Sequence, residues 1–180
     1  KLQMKPCCIF CEIIQMIVKE LRKYVPAEGY YLFGHSMGAY IALEVAKQLQ
    51  ADGIPVKGLY VSGVTSPYYQ KRADQEINDQ NIIRYLKILD SLPEEIMEKE
   101  SLKEIYMDMI RNDFILLNSY QAENLQSRPF PKLLVLYGLE DPVIDEKRIE
   151  EWADLDAEYF DIISYEGNHF YLFGQEDRIG

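Results

Sequence analysis

The chain has 180 residues, of which 48% are hydrophobic, and its 30 acidic and 19 basic residues give a net charge of −11. This composition excludes a disordered chain, and no apolar run is long enough to span a membrane. The negative charge argues against a nucleic-acid groove and against adhesion to an anionic membrane, so neither partner is expected. The length suits a domain with its own core, and we predict a single domain over residues 1–180.

Three cysteines lie near the start of the chain, at Cys7, Cys8 and Cys11. A Cys-x-x-Cys pair with only two histidines in the chain makes a poor zinc site, so we expect ordinary thiols and no metal. An odd cysteine count without a secretory signal indicates a reducing compartment, and we predict a cytoplasmic protein. In the same region, residues 6–25 carry apolar side chains at helical spacing and are predicted to form a helix.

Residues 30–33 are predicted to form a short strand, and the segment 34–38 that follows reads GHSMG. A helix is predicted over 37–49, and between a strand and a helix this G-x-S-x-G pattern forms a sharp turn that exposes a nucleophilic serine. We expect both glycines to be required, because a Cβ at either would collide with the opposing backbone. Ser36 would then stand at the end of the strand, where the Met37 backbone N–H can stabilise an oxyanion. The alternative is a glycine-rich turn that happens to contain a serine.

A second strand is predicted at residues 56–62, whose apolar character suits a strand covered on both faces. Residues 66–128 show no further strand pattern and instead carry three helical ones. The first covers 78–89, the second starts at Pro93, and the third is opened by a capping box at 101–104.

Three helices between two strands exceed an ordinary crossover, so we predict that residues 66–128 form a helical cap over the site. The alternative is a helical layer that only packs on the sheet. Within the predicted cap, Met109 and Phe114 are candidates for contact with an apolar part of the substrate. The alternative for each of them is a core position.

The strand pattern resumes at residues 132–137. It is followed by a turn over 138–142, a helix over 145–153 and a strand over 159–164. Strands and helices joined by short connections predict an α/β fold with a parallel sheet, of which about four strands are visible. Parallel strands end at the same edge of a sheet, so the side chains that follow these strands should lie close to the serine.

A serine hydroxyl is a weak nucleophile and needs a base, usually a histidine oriented by a carboxylate. His35 adjoins Ser36 in a tight turn, so its side chain should leave in another direction, and we interpret it as a packed residue. His169 follows the last predicted strand, where the chain order serine, aspartate, histidine expects the base. The alternative for His169 is a solvent-facing loop histidine.

For the carboxylate, Asp141 follows the strand at 132–137 after a short turn and should emerge at the sheet edge beside the serine. Asp161 lies inside a predicted strand, and Asp154 and Asp156 follow a helix, so these three have less reason to converge there. We therefore predict Asp141 as the acid; the alternative is an ordinary turn carboxylate before a proline.

Several segments resemble the type II thioesterases of nonribosomal peptide and polyketide synthesis, which are α/β-hydrolases. The matches occur in the family's order: LFGHSMGA at 32–39, VSGVTSP at 61–67, NDFILLNSY at 112–120, LVLYGLEDPV at 134–143 and GNHFYLF at 167–173. The resemblance implies a catalytic triad of Ser36, Asp141 and His169, with Met37 as one oxyanion donor. It also implies hydrolysis of acyl groups from the phosphopantetheine arm of carrier proteins, without a metal or other cofactor.

Three comparisons with the family pattern refine this expectation. Integrated thioesterase domains commonly carry the acid after the second strand, where this chain has the residues SGV at 62–64, so the stand-alone type fits better. Family members usually have two glycines before the base, whereas this chain has Gly167 and then Asn168, which tolerates positive φ. Residues 1–29 do not resemble the upstream strands and loop that complete the oxyanion hole in the family. We therefore expect a fragment or a shortened hydrolase, weakly active alone and prone to associate through an apolar edge at 30–33.

Two other functions stay open from the sequence alone. A carboxylesterase or acyl-CoA hydrolase would use the same residues, but its rate would not depend on a carrier protein. A non-catalytic remnant that binds partners would differ from both enzymes, because Ser36 would not react with a fluorophosphonate probe.

Overall fold

The computed structural model describes residues 9–67, 77–120, 122 and 129–173. The chain divides into two compact units, one of residues 1–70 with 122–180 and one of residues 71–121. The helices are α1 (Ile9–Leu21), α2 (Met37–Ala51), α3 (Asp79–Ile88), α4 (Glu94–Met97), α5 (Glu100–Ser119) and α6 (Glu146–Ile149), which continues into a 3-10 turn (Glu150–Asp154). The strands are β1 (Tyr30–His35), β2 (Val56–Ser62), β3 (Leu133–Gly138) and β4 (Phe160–Tyr165).

The first unit is built on a sheet of four parallel strands in the order β1-β2-β3-β4. The central strands β2 and β3 are almost entirely buried, as their apolar sequences require. This confirms the predicted α/β fold with a parallel sheet. β1 lies at one end of the strand order, and Tyr31 and Phe33 on it are 64% and 52% exposed, so among the described residues this strand is an apolar edge.

Two helices of the first unit pack together beside this sheet. α2 contacts β1 and β2, and Ala39, Leu43 and Ala46 on it are fully buried. The two alanines allow the helix to approach the sheet closely. α1 packs against α2. Its buried residues recur every four positions along one helical face: Phe10, Ile14 and Val18.

Two predicted helices differ in extent from the observed ones. The helix predicted to run to residue 25 ends at Leu21, and the Tyr30 hydroxyl, a single donor, lies 2.6 and 2.7 Å from the carbonyl oxygens of Leu21 and Tyr24. The Leu21 carbonyl also accepts from the Tyr24 N–H at 3.1 Å, so a turn and a side chain from the next strand supply donors at the helix end. The predicted start at residues 6–8 lies outside the described residues. The helix predicted over 145–153 is α6 followed by the 3-10 turn.

The second unit consists of the predicted helices α3, α4 and α5. Asn78 caps α3, since its Oδ1 accepts from the Asn81 N–H at 3.0 Å. The core of the unit is formed by Ile82, Leu86 and Met107. Arg111 on α5 donates to Asp79 on α3 at 2.6 Å and also pairs with Asp108.

The capping box predicted at 101–104 is wrong. The N–H groups of residues 102 and 103 both donate to the carbonyl of residue 99 at 2.9 Å, so α5 starts two residues earlier than predicted.

The positions of the cysteines and of other possible metal ligands can be compared with the expectation of no metal site. Cys11 is exposed on α1, and Cys7 and Cys8 lie outside the described residues. Within residues 9–67, 77–120, 122 and 129–173, no three histidine, cysteine or carboxylate side chains lie together in a way that could hold a metal ion. No helix in those ranges combines the length and the apolar character needed to cross a membrane.

Candidate active site

The carboxyl ends of the four strands meet at one edge of the sheet. Ser36 follows β1 directly, Gly63 follows β2, Asp141 follows β3 by three residues, and His169 follows β4 by four residues. Since the strands are parallel, these four positions share one edge. The topology therefore brings groups from widely separated parts of the sequence to a common site.

Ser36 occupies a strained turn between β1 and α2. Its φ of 53° and ψ of −130° lie in a region that residues other than glycine rarely adopt, which costs about 1–3 kcal/mol. Its N–H donates to the carbonyl of Ser62 at 2.8 Å and its carbonyl accepts from the Ala39 N–H at 2.9 Å, so neighbouring backbone holds the turn. Its side chain makes no capping bond to α2. Met37 is the first residue of α2, where N–H groups have no acceptor within the helix.

The two glycines of the turn are not equivalent. A Cβ on Gly34 would lie 2.0 Å from the carbonyl oxygen of Gly38, so this position tolerates no side chain. A Cβ on Gly38 would have no atom within 4 Å. The prediction that both positions must be free of a side chain is therefore wrong for Gly38. The collision is one-sided because the Gly38 backbone is the surface that a side chain at Gly34 would strike.

This asymmetry predicts different outcomes for two matched substitutions. Gly34→Ala should lower the free energy of unfolding by about 3 kcal/mol or more, because the obstacle is backbone that cannot move aside without opening the turn. Gly38→Ala should change it by less than about 1 kcal/mol, since alanine also favours the helix. Urea denaturation of both variants beside the parent chain measures the two effects. Equal destabilisation would contradict the geometry described here.

Asp141 and His169 are joined by a buried hydrogen bond. His169 Nδ1 lies 2.8 Å from Asp141 Oδ2, and the two residues are 1% and 5% exposed. The other carboxylate oxygen accepts from the Val143 N–H at 2.9 Å, which fixes the carboxylate plane. A carboxylate at Nδ1 orients an imidazole so that Nε2 is available as a base.

The loop that carries His169 is held against the end of β3. The Glu140 N–H donates to the Gly167 carbonyl at 2.9 Å, and a Cβ on Gly138 would lie 2.4 Å from the Asn168 carbonyl oxygen. Gly167 has a φ of +121°, whereas Asn168 is not among the described residues with positive φ. The tolerance of asparagine for positive φ is therefore not needed at position 168. Its side chain instead accepts from the Phe170 N–H at 2.9 Å.

The other candidate carboxylates lie elsewhere. Asp161 is exposed on β4 and accepts from the Tyr159 hydroxyl at 3.2 Å and from the Ile162 N–H at 2.9 Å. Asp154 and Asp156 precede β4, and the Asp156 carbonyl accepts from the Phe130 N–H, before β3. Both therefore belong to the amino-terminal ends of the strands, opposite to the edge that carries Ser36.

The two candidate acyl contacts lie in the second unit and differ in their surroundings. Met109 is 55% exposed on α5. Phe114 packs edge-to-face on Tyr85 with ring centroids 5.2 Å apart, and it also contacts the core of Ile82, Leu86 and Met107. Phe114 thus contributes to the packing of its own unit.

Ser62 and Tyr171, which lie beside His35 near His169, were not singled out from the sequence. His35 is half-buried, and its Nδ1 lies 2.9 Å from the Ser62 hydroxyl, which in turn lies 2.6 Å from the Tyr171 hydroxyl. The His35 and His169 rings are 4.9 Å apart. Burial raises the pKa of Tyr171 to about 12. The signals were weak, namely a serine that ends an apolar strand and a tyrosine two positions after the predicted base.

The surroundings of His35 make stability depend on pH. Burial, and next the charge of His169, lower the pKa of His35 from 6.5 to about 4, although Asp141 acts in the opposite direction. Between these pH values the unfolded chain binds a proton at His35 that the folded chain does not. The contribution of His35 to the free energy of unfolding is therefore fully present above pH 6.5 and is lost as the pH falls towards 4. We expect His35→Asn to flatten the dependence of the unfolding free energy on pH by about 1–2 kcal/mol over this range. Denaturant titrations at pH 7 and 5 measure this change, and parallel curves for parent and variant would contradict it.

The family model and the relatives that match this chain are consistent with one family. Residues 2–179 match the family model described as the thioesterase domain. The gramicidin S biosynthesis protein GrsT of Aneurinibacillus migulanus is 27% identical over 166 residues, which are 90% of this chain and 64% of the relative. The thioesterase PikA5 of Streptomyces venezuelae is 31% identical over 153 residues, which are 82% of this chain and 53% of the relative. The chain therefore spans less than two thirds of the length of these relatives.

Solved structures share the fold. The type II thioesterase BorB from the borrelidin biosynthetic cluster superimposes with a TM-score of 0.79 at 27% identity, covering 97% of this chain and 71% of BorB. The RedJ thioesterase of the prodiginine pathway in Streptomyces coelicolor superimposes with a TM-score of 0.78 at 24% identity, over 99% of this chain and 68% of RedJ. Since the family model matches residues 2–179, and the parallel sheet with its helices is the fold of thioesterase structures of the α/β-hydrolase type, the chain belongs to the thioesterase domain family.

Proposed function

We propose that this chain is a serine thioester hydrolase, which releases acyl groups from phosphopantetheinyl carrier proteins as an editing thioesterase of nonribosomal peptide or polyketide synthesis. The observation that carries the proposal is a strained serine turn at the same sheet edge as a buried aspartate–histidine hydrogen bond. The pathway class is supported by relatives named for gramicidin S biosynthesis and for the borrelidin cluster.

The proposed reaction proceeds through an acyl-enzyme. His169 removes the proton from the Ser36 hydroxyl, and the serine oxygen attacks the thioester carbonyl carbon. The Met37 N–H at the start of α2 stabilises the negative oxygen of the tetrahedral intermediate. The carbon–sulfur bond then breaks, and His169 returns the proton to the pantetheine thiolate. Water, deprotonated by His169, attacks the acyl-serine, and the acid is released as Ser36 regains its proton.

The proposed reaction takes its base, nucleophile and oxyanion donor from the protein chain. We therefore propose that it needs no metal or cofactor, and that phosphopantetheine enters as part of the substrate. The proposed partner is an acyl or peptidyl carrier protein in the cytoplasm. Carrier proteins are usually acidic, so a chain with a net charge of −11 would need a local basic patch to bind one.

The proposed acyl selectivity is tested at Met109. If Met109 contacts the acyl chain, Met109→Trp should shift the preferred chain length, because apolar selection amounts to about 1–3 kcal/mol per methylene. Met16→Trp, which alters an exposed methionine on α1, should leave the preference unchanged. Hydrolysis of a series of acyl-pantetheines by both variants measures the shift.

Phe114→Leu should lower the melting temperature, because Phe114 packs on Tyr85. If Phe114 contacts the acyl chain, this variant should shift the preferred chain length as well. Equal losses of activity on all chain lengths would mean that Phe114 is a core residue only.

The experiment that tests the proposed function compares four substrates with the same acyl group: acyl carrier protein, acyl-pantetheine, acyl-CoA and a simple ester. The proposal expects the highest kcat/KM on the carrier protein. Equal rates on acyl-CoA would instead indicate a general acyl-CoA thioesterase, and preference for the ester would indicate a carboxylesterase. Absence of both turnover and labelling of Ser36 by a fluorophosphonate would contradict any serine hydrolase.

A further inference from the structure

A chain of hydrogen bonds lies beside the proposed triad and joins three separate segments. His35 ends β1, Ser62 ends β2, and Tyr171 follows β4. Ser62 is fully buried and Tyr171 is 3% exposed, and their hydroxyl oxygens are 2.6 Å apart although 109 positions separate them in the sequence. Ser62 Oγ also lies 2.9 Å from His35 Nδ1. Two buried hydroxyls are thus used to hold one imidazole ring.

The backbone already joins these segments without the hydroxyls. The Ser36 N–H donates to the Ser62 carbonyl, and the Gly63 N–H donates to the Leu136 carbonyl at 2.9 Å. The Leu139 N–H donates to the Tyr165 carbonyl, also at 2.9 Å. The strand ends are therefore held by backbone bonds, and what the two hydroxyls add is the position of the His35 ring.

The His35 ring forms one wall of the space that His169 occupies. The two rings are 4.9 Å apart and tilted by 45°. Gly63, with a φ of +65°, leaves room for both, since a Cβ there would lie 2.6 Å from His35 Cε1 and 3.3 Å from His169 Cε1. Phe170 contacts the His169 ring edge-to-face, with centroids 5.2 Å apart. The bond to Asp141 fixes Nδ1 of His169, and these neighbours limit how the rest of the ring can tilt.

We propose that Ser62 and Tyr171 are positioning residues, which hold the His35 ring against His169 and thereby keep the His169 ring aimed at Ser36. This inference rests on the proposed function. In the arrangement that we adopt for this proposal, the Tyr171 hydroxyl donates to Ser62 Oγ and the Ser62 hydroxyl donates to His35 Nδ1, although either oxygen of the hydroxyl pair can be the donor. In either direction one buried group keeps no partner among the described residues: His35 Nε2 in this arrangement, and the Tyr171 O–H as well in the reverse one. His35 stays uncharged in this arrangement, so no second positive imidazole opposes the charge that His169 acquires during attack.

The test compares Ser62→Ala, Tyr171→Phe and the double variant with the parent chain. Each single change should lower kcat by about tenfold without changing KM, because a misaligned base slows proton transfer but does not touch the substrate. The double variant should lose no more than either single one, because both changes break the same chain of bonds. The fluorophosphonate labelling rate of Ser36 should fall in parallel. Tyr165→Phe is the matched control, because this residue stacks on Tyr171 at 5.3 Å but lies outside the chain of bonds.

The outcomes separate this inference from the proposed function. If the parent chain neither hydrolyses thioesters nor reacts with the probe, the proposed function fails. If the parent is active while both hydroxyl variants, folded by circular dichroism, keep kcat within about twofold, the positioning role alone is wrong. A change confined to KM, additive losses in the double variant, or an equal loss in Tyr165→Phe would also overturn it.

Discussion

Ser36→Ala should lower turnover of an acyl-pantetheine by about four to six orders of magnitude, with the fold intact. The expected loss is large because alanine removes the atom that would form the acyl-enzyme, and water must then attack the thioester directly. Ser164→Ala, at an exposed serine on β4, is the matched control and should leave turnover unchanged. Single-turnover kinetics with mass detection of the acyl-serine would show which step is lost.

His169→Ala should be as damaging as Ser36→Ala, and the double variant should be no worse than either single one. The reason is that nucleophile and base act as one unit, so removal of either abolishes the same step. Retention of more than about a tenth of the parent rate in either single variant would mean that the nucleophile or the base is a different residue.

Asp141→Asn should lower turnover by about three to four orders of magnitude, because the imidazole loses the carboxylate that sets its tautomer and orientation. The amide can still occupy the space near His169 Nδ1, so the fold should remain. Asp161→Asn makes the same chemical change at an exposed position on β4 and should have little effect.

The ratio of kcat for these two amide variants is the informative measurement. A larger loss in Asp161→Asn than in Asp141→Asn would place the acid on β4 and would contradict the buried hydrogen bond between Asp141 and His169. Equal and small losses would indicate that the base acts without a carboxylate.

Much of this protein could be predicted from local features of its sequence. Each strand is a short apolar run bounded by turn residues, so the α/β fold and its parallel sheet followed from the order of the elements. Parallel strands end at one edge, and this rule alone selected Asp141 over Asp161 as a neighbour of His169. The helix patterns were also readable, whereas the end of α1 was predicted four residues too late, because a turn and the Tyr30 hydroxyl supply donors to its last carbonyls.

Tertiary structure decided the features that depend on contacts between distant residues. Whether Gly34 or Gly38 must lack a side chain depends on which backbone atoms face each position, and the motif alone gives both the same weight. The sequence determined that a serine, an aspartate and a histidine follow strands of one parallel sheet. It could not show that Ser62 and Tyr171, 109 positions apart, share a hydrogen bond beside His35, because buried hydroxyls find partners in space and carry no periodic signal along the chain.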